Sequence, residues 1–71
     1  MPKFTIIIEK ANGNYSAFCP DLPGCIAIGN TEEETFQRMR EAIQFHLEGL
    51  KEEKIPLPPG RCSVREVEIA L

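Results

Sequence analysis

One stretch of this chain is written for a helix, and that helix has a single side to bury. Thr31 and Glu34 form a capping box at its start: the Thr hydroxyl takes an orphan amide and the Glu side chain reaches back. Such a cap contributes about 1 kcal/mol. Glu32, Glu33 and Glu34 stand at the positive end of the helix dipole, and Lys51 and Lys54 stand near its negative end. At about 100° per residue, Phe36, Met39, Ile43, Leu47 and Leu50 fall in one narrow stripe. The spacing predicts a helix over 32–52 whose stripe covers a sheet.

Strand signals surround it. Over 3–10, Phe4, Ile6 and Ile8 share one face, while Ile7 shares the other with Lys3, Thr5 and Glu9. Asn12-Gly13 is a strong hairpin signal, because both residues tolerate positive φ. The return strand is expected over about 14–19, with Tyr15 and Ala17 on one face and Ser16 and Phe18 on the other. A short, continuously apolar strand over 25–28 follows. After the helix, Ile55-Pro56-Leu57-Pro58-Pro59-Gly60 reads as an extended, polyproline-like connector. A last strand is expected over 63–71. Val67, Ile69 and Leu71 share one face, Val64 is out of phase with them, and a bulge near Arg65 would reconcile the two.

The expected fold is therefore α+β, with element order β-β-β-α-β. A right-handed crossover puts the last strand beside the first, giving sheet order 3-2-1-4 with the helix packed on one face. Nothing in the chain is left to cover the other face, which argues for a partner or self-association. With 71 residues, residues 1–71 make one domain. A domain this small buries only about 60% of its unfolded surface. Its core supplies on the order of 3–5 kcal/mol.

Net charge is −3, and the eight basic residues are scattered rather than clustered. That balance disfavours nonspecific nucleic-acid binding and suits a basic protein partner. The three cysteines are odd in number and sit in no disulfide framework. The chain shows no signal peptide and no long apolar run, so the expectation is a cytoplasmic protein with no membrane role.

Two surfaces stand out as candidate binding sites. The first is the loop Pro20-Asp21-Leu22-Pro23-Gly24 between Cys19 and Cys25, which its prolines make rigid. Rigid, irregular loops commonly present a surface to a partner. The second is Phe45, which falls opposite the helix stripe beside Glu41, Glu48 and Glu52. The small residues Ala42 and Gly49 flank it, so another element can pack there and form an oligomer face.

The residues for catalysis are sparse. His46 lies at the margin of the apolar stripe and reads as a boundary histidine. Cys19, Cys25, Cys62 and His46 number enough for one zinc, but the C-x5-C spacing with a distant third Cys matches no usual knuckle. Buried packing is the ordinary place for free cysteine. Glu9 and Asp21 are weak candidates for a Mg²⁺-dependent nuclease, which needs converging carboxylates. No catalytic residue, metal or cofactor is expected.

The run Tyr15-Ser16-Ala17-Phe18-Cys19-Pro20-Asp21-Leu22-Pro23-Gly24-Cys25, then Gly29, Thr31-Glu32-Glu33-Glu34 and Glu41-Ala42-Ile43, resembles the HicB-like antitoxin family. The resemblance runs from the first strand to the last, and the PDLPGC loop followed by G-x-T-x-x-E is its most specific part. It implies a partial ribonuclease H-like fold and a non-enzymatic role in a type II toxin–antitoxin system. The implied partner is HicA-like: a small basic toxin with a double-stranded-RNA-binding-like fold that cleaves mRNA and is masked by the antitoxin. Many family members also carry a C-terminal helix-turn-helix or ribbon-helix-helix domain. No such segment follows here, so the expectation is a solitary N-terminal domain without direct DNA binding. The alternative is a homo-oligomeric structural or regulatory module with no toxin partner.

Overall fold

In a computed structural model describing residues 2–71, α1 (Glu32–Glu52) spans the expected range and is capped as the capping box requires. Thr31 Oγ1 accepts from the Glu34 amide at 3.0 Å. The Glu34 carboxylate reaches back to the Asn30 amide at 3.0 Å, so two donors at the helix start are satisfied reciprocally. At the other end Lys54 takes the left-handed conformation, φ 58°, and the Ile55 amide closes onto the Leu50 carbonyl at 2.9 Å. This is the residue at which helices commonly use glycine.

Ahead of the helix, β1 (Ile7–Lys10), β2 (Tyr15–Phe18) and β3 (Ile26–Gly29) form an antiparallel sheet in that order. The hairpin closes with Ala11 N–H donating to the Asn14 carbonyl at 2.9 Å and Gly13 at φ 81°. The register puts Ile8, Ala17 and Ala27 opposite one another, toward the helix. Ala17, Cys19, Leu22, Cys25, Met39 and Ile43 form the buried core, with Phe4, Ile6, Ile8, Ala27 and Leu47 packed against it. Ile7, Phe18 and Ile26 stand opposite one another on the other face, which the helix does not cover. Phe18, Ile26 and Ile28 are exposed there, leaving an apolar sheet surface bare.

Three expectations need correction. β1 begins at Ile7 rather than Lys3, because its last pair is Ile7 with Phe18. Residues 3–6 lie beyond that pair, where β2 has already turned into the 19–25 loop and offers no ladder; Phe4 and Ile6 still pack on the core. Phe36 does not join the buried stripe and Thr35 does. Thr35 seats against Gly29, where an added Cβ would lie 2.5 Å from Thr35 Oγ1, and its hydroxyl donates to the Thr31 carbonyl at 2.7 Å. That close seat leaves Phe36 at the rim.

The third correction is the largest. Among the described residues, 63–71 forms no strand, and the sheet has three strands rather than the order 3-2-1-4. Every residue over 61–71 is exposed. The Cα radius of gyration is 14.0 Å with a longest extent of 50 Å. A compact chain of this length would have a radius of about 11 Å. The segment thus leaves the domain instead of pairing with β1. A strand is held by its neighbour's ladder, and alternating apolar residues alone do not hold one.

Candidate functional site

The 19–25 loop resolves into two consecutive β-turns that share Leu22. The Leu22 amide donates to the Cys19 carbonyl at 3.1 Å, and the Cys25 amide donates to the Leu22 carbonyl at 3.1 Å. Each turn has proline at its second position, Pro20 in the first and Pro23 in the second, where a φ near −65° is already set. Gly24, at φ 91°, supplies the positive φ that the second turn requires. The shared Leu22 points inward and is 1% exposed, between the buried Cys19 and Cys25. Burial pushes the Cys25 thiol's pKa up, and the neighbouring Cys19 adds to it.

Of the five loop residues singled out in the sequence, Leu22 is therefore a core plug with no surface to offer. Pro20, Pro23 and Gly24 are exposed at the two turn tips. Asp21 does something that no local pattern signals. Its Oδ2 accepts the Arg61 amide at 3.0 Å and the Cys62 amide at 3.2 Å, and its Oδ1 accepts the Cys62 thiol at 3.3 Å. Desolvation alone would raise the Asp21 pKa. The hydrogen bonds from the Cys62 thiol and the two amides, with the Arg61 charge, outweigh it and hold the carboxyl below its ordinary value. The Cys62 thiol is shifted up, chiefly by donating to this carboxylate. Asp21 is thus a clasp that fixes the end of the proline connector to the loop. Alongside it, Thr5 Oγ1 donates to the Cys62 carbonyl at 3.1 Å, and Gly60 passes against the Lys3 carbonyl with no room for a side chain.

The second surface is the outer face of α1. Phe45 is 79% exposed, with Ala42 half-buried and Gly49 exposed beside it. Glu41, Glu48 and Glu52 are all exposed on that side of the helix. The arrangement is an aromatic centre with an acidic surround, and it is chemically suited to a basic protein surface.

The groups weighed for chemistry do not converge. Cys19, Cys25 and Cys62 are all free thiols, and among the described residues no three His, Cys, Asp or Glu side chains come together as a metal site. Glu9 is exposed near the end of β1, while Asp21 is committed to the clasp. His46 is half-buried on the helix flank. No helix among the described residues is long and apolar enough to cross a membrane.

Residues 4–68 match the family described as the HicB-like antitoxin of bacterial toxin–antitoxin systems. A UPF0150 protein of Synechocystis is 40% identical over 67 residues, covering 93% of this chain and 85% of its own length. Another UPF0150 protein, from Thermoplasma acidophilum, is 44% identical over 57 residues, 76% of this chain and 83% of its own. An uncharacterized 14.9 kDa protein from the rep-hol intergenic region of Haemophilus phage HP1 is 44% identical over 55 residues. That match takes in 78% of this chain and only 41% of the phage protein. No solved structure matches.

Proposed function

Because this chain belongs to the HicB-like antitoxin family, we propose that it binds and neutralises a small, basic, mRNA-cleaving toxin of the HicA-like kind. The observation that carries this reading is the antitoxin-family match over 4–68, which runs through every strand, both turns and the helix. The proposed role is binding, without catalysis, in the cytoplasm. A net charge of −3 supports a basic partner. The exposed Phe45 among Glu41, Glu48 and Glu52 supports the helix face as the main contact, with Pro20, Pro23 and Gly24 as a second one. The sheet would reach the order 3-2-1-4 of a partial ribonuclease H-like fold once a fourth strand lies beside β1.

Co-expression tests the reading. The chain, affinity-tagged, is produced with the small basic protein encoded beside it, and growth is followed with and without the chain. The expected result is a stoichiometric complex and restored growth. No complex together with no rescue would overturn the proposal.

A second reading, self-association through Ala42, Phe45 and Gly49, is favoured by the small residues that flank the exposed ring. Phe45→Glu separates the two. Under the toxin reading it weakens co-purification and leaves the chain's own mass in solution unchanged. Under the second reading it lowers that mass.

A further inference from the structure

The turn between β1 and β2 carries chemistry that neither strand uses. In Asn12-Gly13 a side-chain amide stands next to a backbone nitrogen with little to shield it. The Cβ of the following residue ordinarily crowds that nitrogen, and glycine has none.

The structure leaves this pair open. Residues 11–13 are all exposed. Among the described residues no backbone hydrogen bond engages the Gly13 amide. No atom from beyond its chain neighbours lies within 4 Å of where a Gly13 Cβ would stand. The turn is also incomplete. The type I′ loop that Asn-Gly favours needs positive φ at both residues, and here Gly13 alone has it, at 81°. Ala11 N–H donates to the Asn14 carbonyl at 2.9 Å, while the reciprocal bond from the Asn14 amide to the Ala11 carbonyl is not made. The loop is held by one backbone bond, which leaves the Asn12–Gly13 peptide free to turn toward the Asn12 side chain.

The other two asparagines are placed differently. Asn14 is half-buried and is followed by Tyr15, where β2 begins. Asn30 is exposed but is followed by Thr31, whose branched Cβ crowds the nitrogen and whose backbone is fixed as the helix cap.

We infer that Asn12-Gly13 is a site of spontaneous covalent modification, at which Asn12 loses its side-chain amide and becomes an aspartyl or isoaspartyl unit. The Gly13 nitrogen attacks Asn12 Cγ, and the new C–N bond closes a cyclic succinimide. The Cγ–Nδ2 bond breaks, and Nδ2 leaves as ammonia with the proton from the Gly13 amide. Water then opens the ring. Addition at Cγ gives aspartate, and addition at the main-chain carbonyl carbon gives isoaspartate, whose backbone runs through Cβ and Cγ. Water is the only co-reactant, and nothing is oxidised or reduced.

Either product adds a negative charge to a chain of net charge −3. The isoaspartyl form also lengthens the backbone of a two-residue loop. The Ala11–Asn14 bond and the pairing of Lys10 with Tyr15 then no longer fit the same register, which loosens the hairpin. This site stands independently of the toxin reading.

The experiment uses the full chain, held in warm, mildly alkaline buffer both folded and, in parallel, unfolded in urea. Peptide maps over time separate the asparaginyl, aspartyl and isoaspartyl forms at positions 12, 14 and 30. Enzymatic methylation of the isoaspartyl carboxyl counts that form independently. The expected result is conversion at position 12 in the folded chain at a rate comparable to that in urea, with Asn14 and Asn30 lagging well behind. The isoaspartyl fraction, purified and refolded, has a lower urea midpoint than fresh chain. Asn12→Gln keeps a side-chain amide on a longer arm; held for the same time, it stays unconverted and keeps its midpoint. Asn12 that persists in the folded chain while the urea sample converts would overturn the inference. So would conversion led by Asn14 or Asn30, or an isoaspartyl fraction as stable as fresh chain.

Discussion

Residues 19–25 and 55–60 are both short, proline-rich and punctuated by a glycine, yet they behave differently. In 19–25 the prolines occupy the second positions of two turns, the shared Leu22 is sealed in the core, and the turns close by their own backbone bonds. In 55–60 the prolines lack amides and Leu57 is half in solvent. Order there comes from outside, through the Ile55 amide on the helix end and the Asp21 clasp just beyond. Proline sets φ in both. What separates them is whether a side chain within the stretch can reach the core and whether the remaining donors find acceptors nearby. One stretch became part of the domain, and the other became a spacer that delivers an unpaired segment.

That contrast can be broken by mutation. Leu22→Ala should cost about 2–5 kcal/mol, as for other fully buried leucines, whereas Leu57→Ala should cost well under half as much. Urea midpoints for the two variants check this, and equal losses would mean that both stretches are core. Next in size is Gly24→Ala. It forces a side chain into φ 91° with nothing nearby to clash with it. Strain of this kind costs about 1–2 kcal/mol, read as a lower melting temperature with the turn otherwise intact.

Lys54→Gly, at the junction of helix and connector, works in the opposite direction. It relieves a left-handed lysine and should raise stability by roughly 1 kcal/mol, seen as a higher urea midpoint. The smallest effect is on the clasp. Asp21 has a lowered folded pKa, so its stabilising contribution is present above the ordinary aspartate value of about 3.9 and is lost as pH falls through the folded value. The Arg61 and Cys62 amide resonances should shift in that acid window, while the buried Leu22 methyls stay unchanged. Matching titration of both would show that the loop and the clasp are one unit.

Much of this architecture was legible in the sequence, for local reasons. The helix span was readable because Thr31, Glu34 and the 3.6-residue stripe act within a few residues of one another. Asn12-Gly13 and the alternation of Phe4, Ile6 and Ile8 carried the hairpin and the shared face of its first strand, but the pattern of the return strand did not say whether Ala17 or Phe18 turns inward. The resemblance carried by the PDLPGC loop and Gly29 pointed to the family that the comparison then showed. The loop's own part was harder to read. Pro20, Pro23 and Gly24 announce turns, but nothing in the string says that Leu22 faces inward. Asp21 gripping Arg61 and Cys62 joins residues 40 and 41 positions apart, and no pattern encodes such a contact. The last strand was expected from alternation alone, which specifies a face but not the chain that pairs with it.

The central claim is neutralisation, and an inhibition titration tests it most directly. The purified small basic protein encoded beside this chain is given an RNA substrate, and cleavage is followed as purified chain is added. The account predicts that cleavage falls in proportion to added chain and stops near equimolar amounts. Cleavage that continues unchanged in large excess of folded chain would contradict it.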